Sequence, residues 1–245
     1  MEKIKWGIIG PGNIANNFAD GLKGSYSGQL VSIASKSQDR RETFGDKYDI
    51  HPDFRFGSYE DIINSEHIDA IYISTPHTLH AEWTIKAAGK GKHILCEKPG
   101  AINFNEGKKI IDAVREAGVF YMEGFMYRCH PQIPKLVEII KDKMIGDVIS
   151  IETSFGFDMG KTIPYHRLFN KNLAGGGILD VGLYPISFSR LIAGVATGDK
   201  FSEPKFLDAE ATIGETGVDE IAHANLEFKN GIKATLSTAI RETMK

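Results

Sequence analysis

Three groups of residues in this sequence have types and spacings that could do chemistry. The first is Lys98, within His93-Ile94-Leu95-Cys96-Glu97-Lys98-Pro99. The opening four residues read as a short buried strand. Pro99 has no N–H to donate and ends it. An amine then stands at the carboxyl end of a strand, where open α/β sheets hold their ligands. A lone lysine is ordinarily a solvated surface residue, so this reading rests on the stretches around it. The second group is Gly10-Pro11-Gly12-Asn13-Ile14-Ala15, which fits G-x-G-x-x-A. Gly10 permits a tight turn, Gly12 lets the backbone approach a pyrophosphate, and Ala15 lets a helix pack close to a strand. The helix N-terminus that starts here attracts phosphate charge. The third is Leu173-Ala174-Gly175-Gly176-Gly177-Ile178-Leu179-Asp180-Val181-Gly182-Leu183-Tyr184-Pro185. Its glycines permit close backbone approach. Asp180 and Tyr184 are spaced to share one helix face. Pro185 is tolerable only in a first turn, which puts both near a helix start. Taken alone, Tyr184 reads as a packing aromatic with a satisfied hydroxyl.

The elements that must position these groups follow a rhythm. A strand over Trp6–Ile9 precedes the glycine turn, and Ile14, Phe18 and Leu22 lie on one face of the helix after it. A second strand, Leu30 to Ser35, runs into Ser35-Lys36-Ser37. A site for NAD usually places an acid here for the ribose 2′-hydroxyl. No acid occurs until Asp39, which is better placed to start the next helix. Two hydroxyls and an ammonium instead suit a 2′-phosphate; the plainer alternative is a solvated Lys36. Arg40–Tyr48 reads as a helix, Phe54–Phe56 as extended, Tyr59–Asn64 as a short helix. Ala70–Ile73 is a buried strand ending at Ser74-Thr75-Pro76-His77. Leu79, Trp83 and Ala87 mark another helix, and Asn103 with Glu106 reads as an N-cap for one more, closed by Gly118. Val119–Met122 is a further strand. Alternation of this kind implies a doubly wound parallel sheet, a Rossmann dinucleotide-binding domain over residues 1–123.

After Glu123 the pattern changes. Gly124-Phe125-Met126-Tyr127-Arg128-Cys129-His130-Pro131 is aromatic-rich, and Ile133, Val137 and Ile140 mark a helix. From Val148 on, the strands are longer and alternate. Ala222, Ala224, Leu226 and Phe228 take one side of a strand, and Ile232, Ala234 and Leu236 continue that face beyond Asn230-Gly231, a two-residue hairpin signal. This implies a mainly antiparallel sheet with one wet face, in an α+β substrate and oligomerisation domain over residues 124–245. With little chain beyond it, the closing strand of this hairpin or another nearby is expected to be an unprotected edge.

Composition narrows the function classes. Of 245 residues, 42% are apolar and 25% charged, as in an ordinary globular protein, and a formal charge of −3 gives no electrostatic reason to expect nucleic acid or an anionic membrane. Cys96 and Cys129 lack metal-ligand spacing, so no metal is expected, and they read as reduced thiols of a cytoplasmic protein. Met1-Glu2-Lys3-Ile4-Lys5 runs straight into a strand, with no secretory signal expected. No apolar run is expected to approach the ~18 residues of a membrane span.

Four blocks in order, Gly10–Ala15, Thr75-Pro76, Glu97-Lys98-Pro99 and Ala174–Gly177 with Asp180, Gly182, Tyr184 and Pro185, resemble the Gfo/Idh/MocA oxidoreductases over nearly the whole chain. Glu123–Pro131 is similar to the branch of trans-dihydrodiol dehydrogenases and NADP-dependent D-xylose dehydrogenases. The resemblance implies hydride transfer between NADP, in preference to NAD, and a secondary alcohol or hemiacetal of a sugar or vicinal diol. It implies that Lys98 and Tyr184 meet at the nicotinamide, with Tyr184 as acid/base, Lys98 as its electrostatic partner, and Asp180 binding a substrate hydroxyl or orienting Lys98. Gly10, Gly12, Asn13, Ile14, Ser35, Lys36, Ser37, Thr75, Pro76, His77, His80, Glu97 and Lys98 would border the cofactor. Arg167 and His166 are weaker substrate candidates, each equally readable as a solvated loop residue. Two departures stand out. Many relatives have Asn at the position of His77 and His at that of Tyr184; tyrosine sets this chain with the dihydrodiol and glucose–fructose type. The resemblance also implies a homo-oligomer through the second sheet, and relatives that run on beyond residue 245 leave that domain incomplete. The family further contains glycosidases that use tightly held NAD and non-catalytic NADP-binding regulators. Ser35-Lys36 speaks against the former, Lys98 with Tyr184 against the latter.

Overall fold

The strand–helix alternation takes shape in the computed structural model, which describes residues 2–244. The chain divides into two compact units, one running to Gly124 and one starting at Phe125. In the first unit a six-stranded parallel sheet has the order β3-β2-β1-β4-β5-β6, with β1 Ile4–Ile9, β2 Gly28–Ala34, β3 Arg55–Phe56, β4 Ala70–Ile73, β5 His93–Cys96 and β6 Tyr121–Glu123. Helices α1 (Asn13–Lys23) and α2 (Gln38–Lys47) cover one face over Ile8, Ile33 and Tyr72, while α3 (Tyr59–Asn64), α4 (His80–Ala88) and α5 (Phe104–Ala117) cover the other over Ile9, Ile71, Ile73 and Ile94. Both faces are therefore buried, which is why the strands read as unbroken apolar runs. The Asn103 side chain accepts from the Glu106 N–H at 3.0 Å, and Gly118 closes α5 at φ 64°.

The second unit holds α6 (Gln132–Lys141), α7 (Leu183–Ala196) and strands β7 (Ser150–Asp158), β8 (Lys205–Ile213), β9 (Asp219–Glu227), β10 (Lys233–Ala239) and β11 (Arg241–Met244). Their order is β11-β7-β10-β9-β8. All pairings are antiparallel except β7 with β10. Helices α6 and α7 pack Ile140, Leu191, Ile192 and Val195 on Ile151, Leu226, Ala234 and Leu236.

One expectation is corrected here, and two others take definite form. The β9–β10 hairpin pairs Lys233 with Glu227, and the Phe228 N–H donates to the Ile232 carbonyl at 2.8 Å, so its loop is Lys229-Asn230-Gly231 rather than two residues. The apolar pattern requires this. A two-residue loop would set Leu226 opposite Thr235 and Phe228 opposite Lys233, mixing apolar and polar residues on each face. The unprotected edge falls not at β10, which β7 flanks, but at the outer strands β8 and β11. The run Lys171–Ala196 is long and apolar enough by length and composition alone to cross a membrane; 56% of its most apolar 18-residue window is buried, and its apolar residues pack on the sheet of its own unit.

Candidate functional site

In the first unit, β1 feeds Gly10, whose φ of 93° suits glycine and strains other residues. The Ser74 hydroxyl donates to the Gly10 carbonyl at 2.7 Å, tying together the turns after β1 and β4. Beside Gly12 a Cβ would meet only open space, so packing does not require that glycine. It leaves the start of α1, with Asn13 and Ile14, approachable to an anion. Ala15 is fully buried against Ile8 and Ile33, as close helix–strand packing needs.

At the end of β2, the buried Ser35 hydroxyl accepts from the Ser37 N–H at 3.2 Å, and the Ser37 hydroxyl caps α2 by accepting from the Arg40 N–H. Lys36 is exposed, its ammonium 5.6 Å from the centre of the Tyr59 ring. Asp39 lies in the first turn of α2. Arg41, not singled out by sequence pattern, donates to the Ser35 carbonyl at 3.2 Å. Between β2 and α2 there is thus no carboxylate to repel a 2′-phosphate, and the residues present fit one.

The loop carrying Lys98 is held at several backbone points. The Glu97 N–H donates to the Ile73 carbonyl at 2.9 Å. His80, buried at the start of α4, sets Nδ1 2.7 Å from the Pro99 carbonyl and Nε2 2.8 Å from the Thr75 carbonyl. The Gly100 N–H donates to Glu123 at 2.7 Å. Tyr72 donates its hydroxyl to the Glu97 carboxylate at 2.5 Å. A Cβ on Gly100 would collide with the Tyr121 hydroxyl, so a larger residue forces that side chain to shift. Burial pushes the Glu123 carboxyl up and His80 down, against hydrogen bonds that pull each the other way. His80 was expected to border the cofactor. Its two ring nitrogens face carbonyls and so brace the Thr75 and Pro99 turns, and the Glu97 carboxylate accepts from Tyr72. His77 is half-buried, its ring 5.9 Å from that of His80.

In the second unit, Asp180 is buried and accepts from Arg167 Nη1 at 2.9 Å. The helix expected here begins with a π turn, Ile178–Gly182, before α7. Pro185 explains it: the proline cannot donate, and its ring crowds the carbonyl of Val181. The Leu183 N–H donates instead to the Ile178 carbonyl, five residues back. Tyr184 follows in the first turn of α7. Its ring is met edge-on by Phe125, Tyr127 and Phe155, with centres 5.4–6.1 Å away. Tyr127 and Ser187 hydroxyls are 2.9 Å apart. His166 accepts from the Leu168 N–H at 3.3 Å, a local cap.

This pairing of a Gly-rich nucleotide turn with a Lys98 loop, and an Asp–Tyr helix start in a separate sheet unit, matches known proteins. Residues 4–125 match the oxidoreductase family with an NAD-binding Rossmann fold, and residues 133–244 match the GFO/IDH/MocA C-terminal domain. The chain belongs to the Gfo/Idh/MocA oxidoreductase family. It is 32% identical over 243 residues to the trans-1,2-dihydrobenzene-1,2-diol dehydrogenase of Mus musculus, covering 98% of this chain and 70% of that one. It is 32% identical over 239 residues to a D-xylose 1-dehydrogenase (NADP(+)) of Haloferax volcanii, covering 96% and 69%. Among solved structures, a 3-ketoreductase from Actinomadura kijaniata in complex with NADP and TDP-benzene superposes with a TM-score of 0.87 at 27% identity, over 99% of this chain and 71% of that one.

In this Gfo/Idh/MocA chain, the structure brings Thr75, His80 and the Lys98 loop together in one unit, and Arg167 with Asp180 in the other. Sequence pattern had left Arg167 as a solvated residue or a substrate contact; the buried carboxylate it meets decides that it is anchored. Tyr72, Glu123 and Asp219 each sit in a strand and look like ordinary strand residues in the sequence. The one sequence signal for Glu123 is an acid at the end of an apolar strand.

Proposed function

We propose that this chain is an NADP-dependent dehydrogenase that moves a hydride between nicotinamide and a secondary alcohol or hemiacetal carbon of a sugar or vicinal diol. The observation that carries the proposal is the Lys98 loop, which fixes an amine at the carboxyl edge of a parallel sheet that also carries the Gly10–Gly12 turn. Ser35-Lys36-Ser37 supports NADP over NAD, as do the NADP named with relatives. Gly10, Gly12, Asn13 and Ile14 would hold the pyrophosphate, Ser35, Lys36 and Ser37 the 2′-phosphate, and Thr75, Pro76 and His77 would border the nicotinamide side. A bound NADP⁺ supplies a nicotinamide C4 that accepts the hydride from the substrate C–H.

The chain's own task is the proton. As the substrate O–H becomes a carbonyl, Tyr184 in its phenolate form takes that proton and becomes a phenol; in the reverse direction the phenol returns it. A tyrosine pKa of about 10 makes the phenolate scarce at neutral pH. An ammonium beside a phenolate favours it and lowers that cost, and this is the role proposed for Lys98. Asp180, fixed by Arg167, accepts from a neighbouring substrate hydroxyl, and His166 and Arg167 contribute from the loop before the glycines.

The test is NADP⁺ reduction by the purified chain against a panel of aldoses, including D-xylose, and trans-dihydrodiols. Tyr184→Phe keeps the ring and removes only the proton carrier. NADP⁺ binding should stay within about twofold while turnover falls about 10²–10⁴-fold, the usual value of a general acid–base step. Near wild-type turnover in Tyr184→Phe would overturn the assignment.

A further inference from the structure

Two of the glycines in Gly175-Gly176-Gly177 are pressed by a specific neighbour, whereas a Cβ on Gly177 would make only ordinary contact. A Cβ on Gly175 would run into the backbone carbonyls of Arg167 and Leu168, and one on Gly176 would overlap the Asp219 carboxylate. Gly176 also has a φ of 113°, which only glycine adopts without strain. Asp219 opens β9, on a strand 41 residues away from the helix start it touches, and its carboxylate accepts from the Ile178 N–H at 2.6 Å. The Gly177 and Asp219 N–H groups point at the same carboxylate. Other bonds pin the same turn. The Gly176 N–H donates to the Leu168 carbonyl at 2.9 Å, and the Asp180 N–H donates to the Gly176 carbonyl at 3.2 Å.

The bond to the Ile178 N–H is solvent-exposed, so its worth is that of an ordinary N-cap, about 0.5–2 kcal/mol. A carboxylate at that end is also favoured by the helix dipole. Satisfying these groups is what any cap does. Here, however, the cap comes from a distant strand, and the turn it fixes carries Asp180 two residues on and Tyr184 six residues on. The π turn makes that placement sensitive, because its backbone register has no α-helical fallback ahead of Pro185.

We infer that Asp219 is a positioning residue for the proton-transfer group: by capping Gly177 and Ile178 it sets the register and direction of the π turn, and through it where Asp180 and the Tyr184 hydroxyl stand. The inference rests on Tyr184 being the acid/base proposed above.

Asp219→Ala and Asp219→Asn test it, alone and combined with Tyr184→Phe, with NADP⁺ as cofactor and the panel substrate that wild type oxidises fastest. Asp219→Ala should lower kcat about 10- to 100-fold, with NADP⁺ affinity within about twofold. Asp219→Asn keeps one acceptor oxygen and should recover part of the loss. In the Tyr184→Phe background, Asp219→Ala should cost less than about threefold more, because residues acting as a unit are not additive. Amide exchange supplies a readout that needs no substrate: residues 176–184 should exchange at least about tenfold faster in Asp219→Ala, with β7 and β10 unchanged. If Asp219→Ala does not fold, Asp219→Asn alone decides by the same measures. Unchanged kcat, a loss additive with Tyr184→Phe, unchanged exchange, or exchange raised uniformly through the second unit would each overturn the inference. A Tyr184→Phe variant of full activity would instead overturn the reading beneath it.

Discussion

At the scale of single residues, Lys36 carries the charge expected to select the cofactor. Ser35 and Ser37 spend their hydroxyls on neighbouring backbone, whereas the Lys36 ammonium is exposed beside a ring. An ammonium facing a 2′-phosphate is worth about 1.5–3 kcal/mol, so Lys36→Glu should lower the NADP⁺/NAD⁺ affinity ratio about tenfold or more. Parallel titrations with the two cofactors measure this directly. A wild type that binds NAD⁺ better would show that the end of β2 has been misassigned. His80 sets a pH dependence. Burial holds its folded pKa below the ordinary 6.5. Between the folded and unfolded values the unfolded chain binds the extra proton, so the stability His80 contributes is complete above about 6.5 and lost as pH falls through its folded pKa. Denaturant unfolding from pH 7.5 down to about 5 should show this decline, with a shallower slope in His80→Gln. Charge nearby also acts on the ring, Glu97 raising its pKa and Lys98 lowering it. Glu123 acts in the opposite sense: its folded carboxyl lies above the ordinary 4.5, so its contribution is present below that value and lost as pH rises through the folded one.

At the scale of elements, the Lys98 loop is braced by two strand ends and one helix. β4 holds Glu97, β6 holds Gly100 through Glu123, and α4 holds Pro99 through His80. Gly100 is its tightest point. Gly100→Ala should destabilise the first unit by about 1–3 kcal/mol, the usual cost of overpacking a filled site. Because the added methyl meets the Tyr121 hydroxyl, Tyr121→Phe should restore part of that loss. Denaturant melts of the two single variants and the double variant check both halves. Equal losses with and without the Tyr121 hydroxyl would show that the strain lies in the backbone instead.

At the scale of the whole molecule, the second sheet ends in β8, every residue of which is exposed, including Phe206, Leu207 and Ile213. Among the described residues no strand pairs its outer edge. A long apolar edge of this kind invites pairing with a second copy. The chain is therefore expected to self-associate, and Phe206→Lys, which adds charge to that edge, should shift it toward monomer. Light scattering over a range of protein concentrations decides the matter; a concentration-independent monomer in wild type would refute it. The first unit's sheet is complete at β6, so NADP⁺ should raise its melting without changing the association.

Sequence alone determined the parallel sheet, the glycine turn, the cap at Asn103 and the stop after Lys98. These depend on local chemistry: apolar runs of strand length, a positive φ, a side chain reaching three residues on, a missing N–H. It also set the β9–β10 pairing, because the apolar alternation must lie on one face. That same alternation, read together with both strands, outweighed the Asn230-Gly231 turn signal and made the loop three residues. Only the tertiary structure decided what meets across long separations. Asp219 reaches the Gly176 turn, Glu123 reaches Gly100, Arg167 reaches Asp180, and β7 lies parallel to β10. No residue spacing encodes these contacts; the packing of sheet and helices selects them. The start of the Tyr184 helix shows both at once. Pro185 makes an ordinary α turn costly at that point, and the surrounding glycines and Asp219 decide that the chain answers with a π turn.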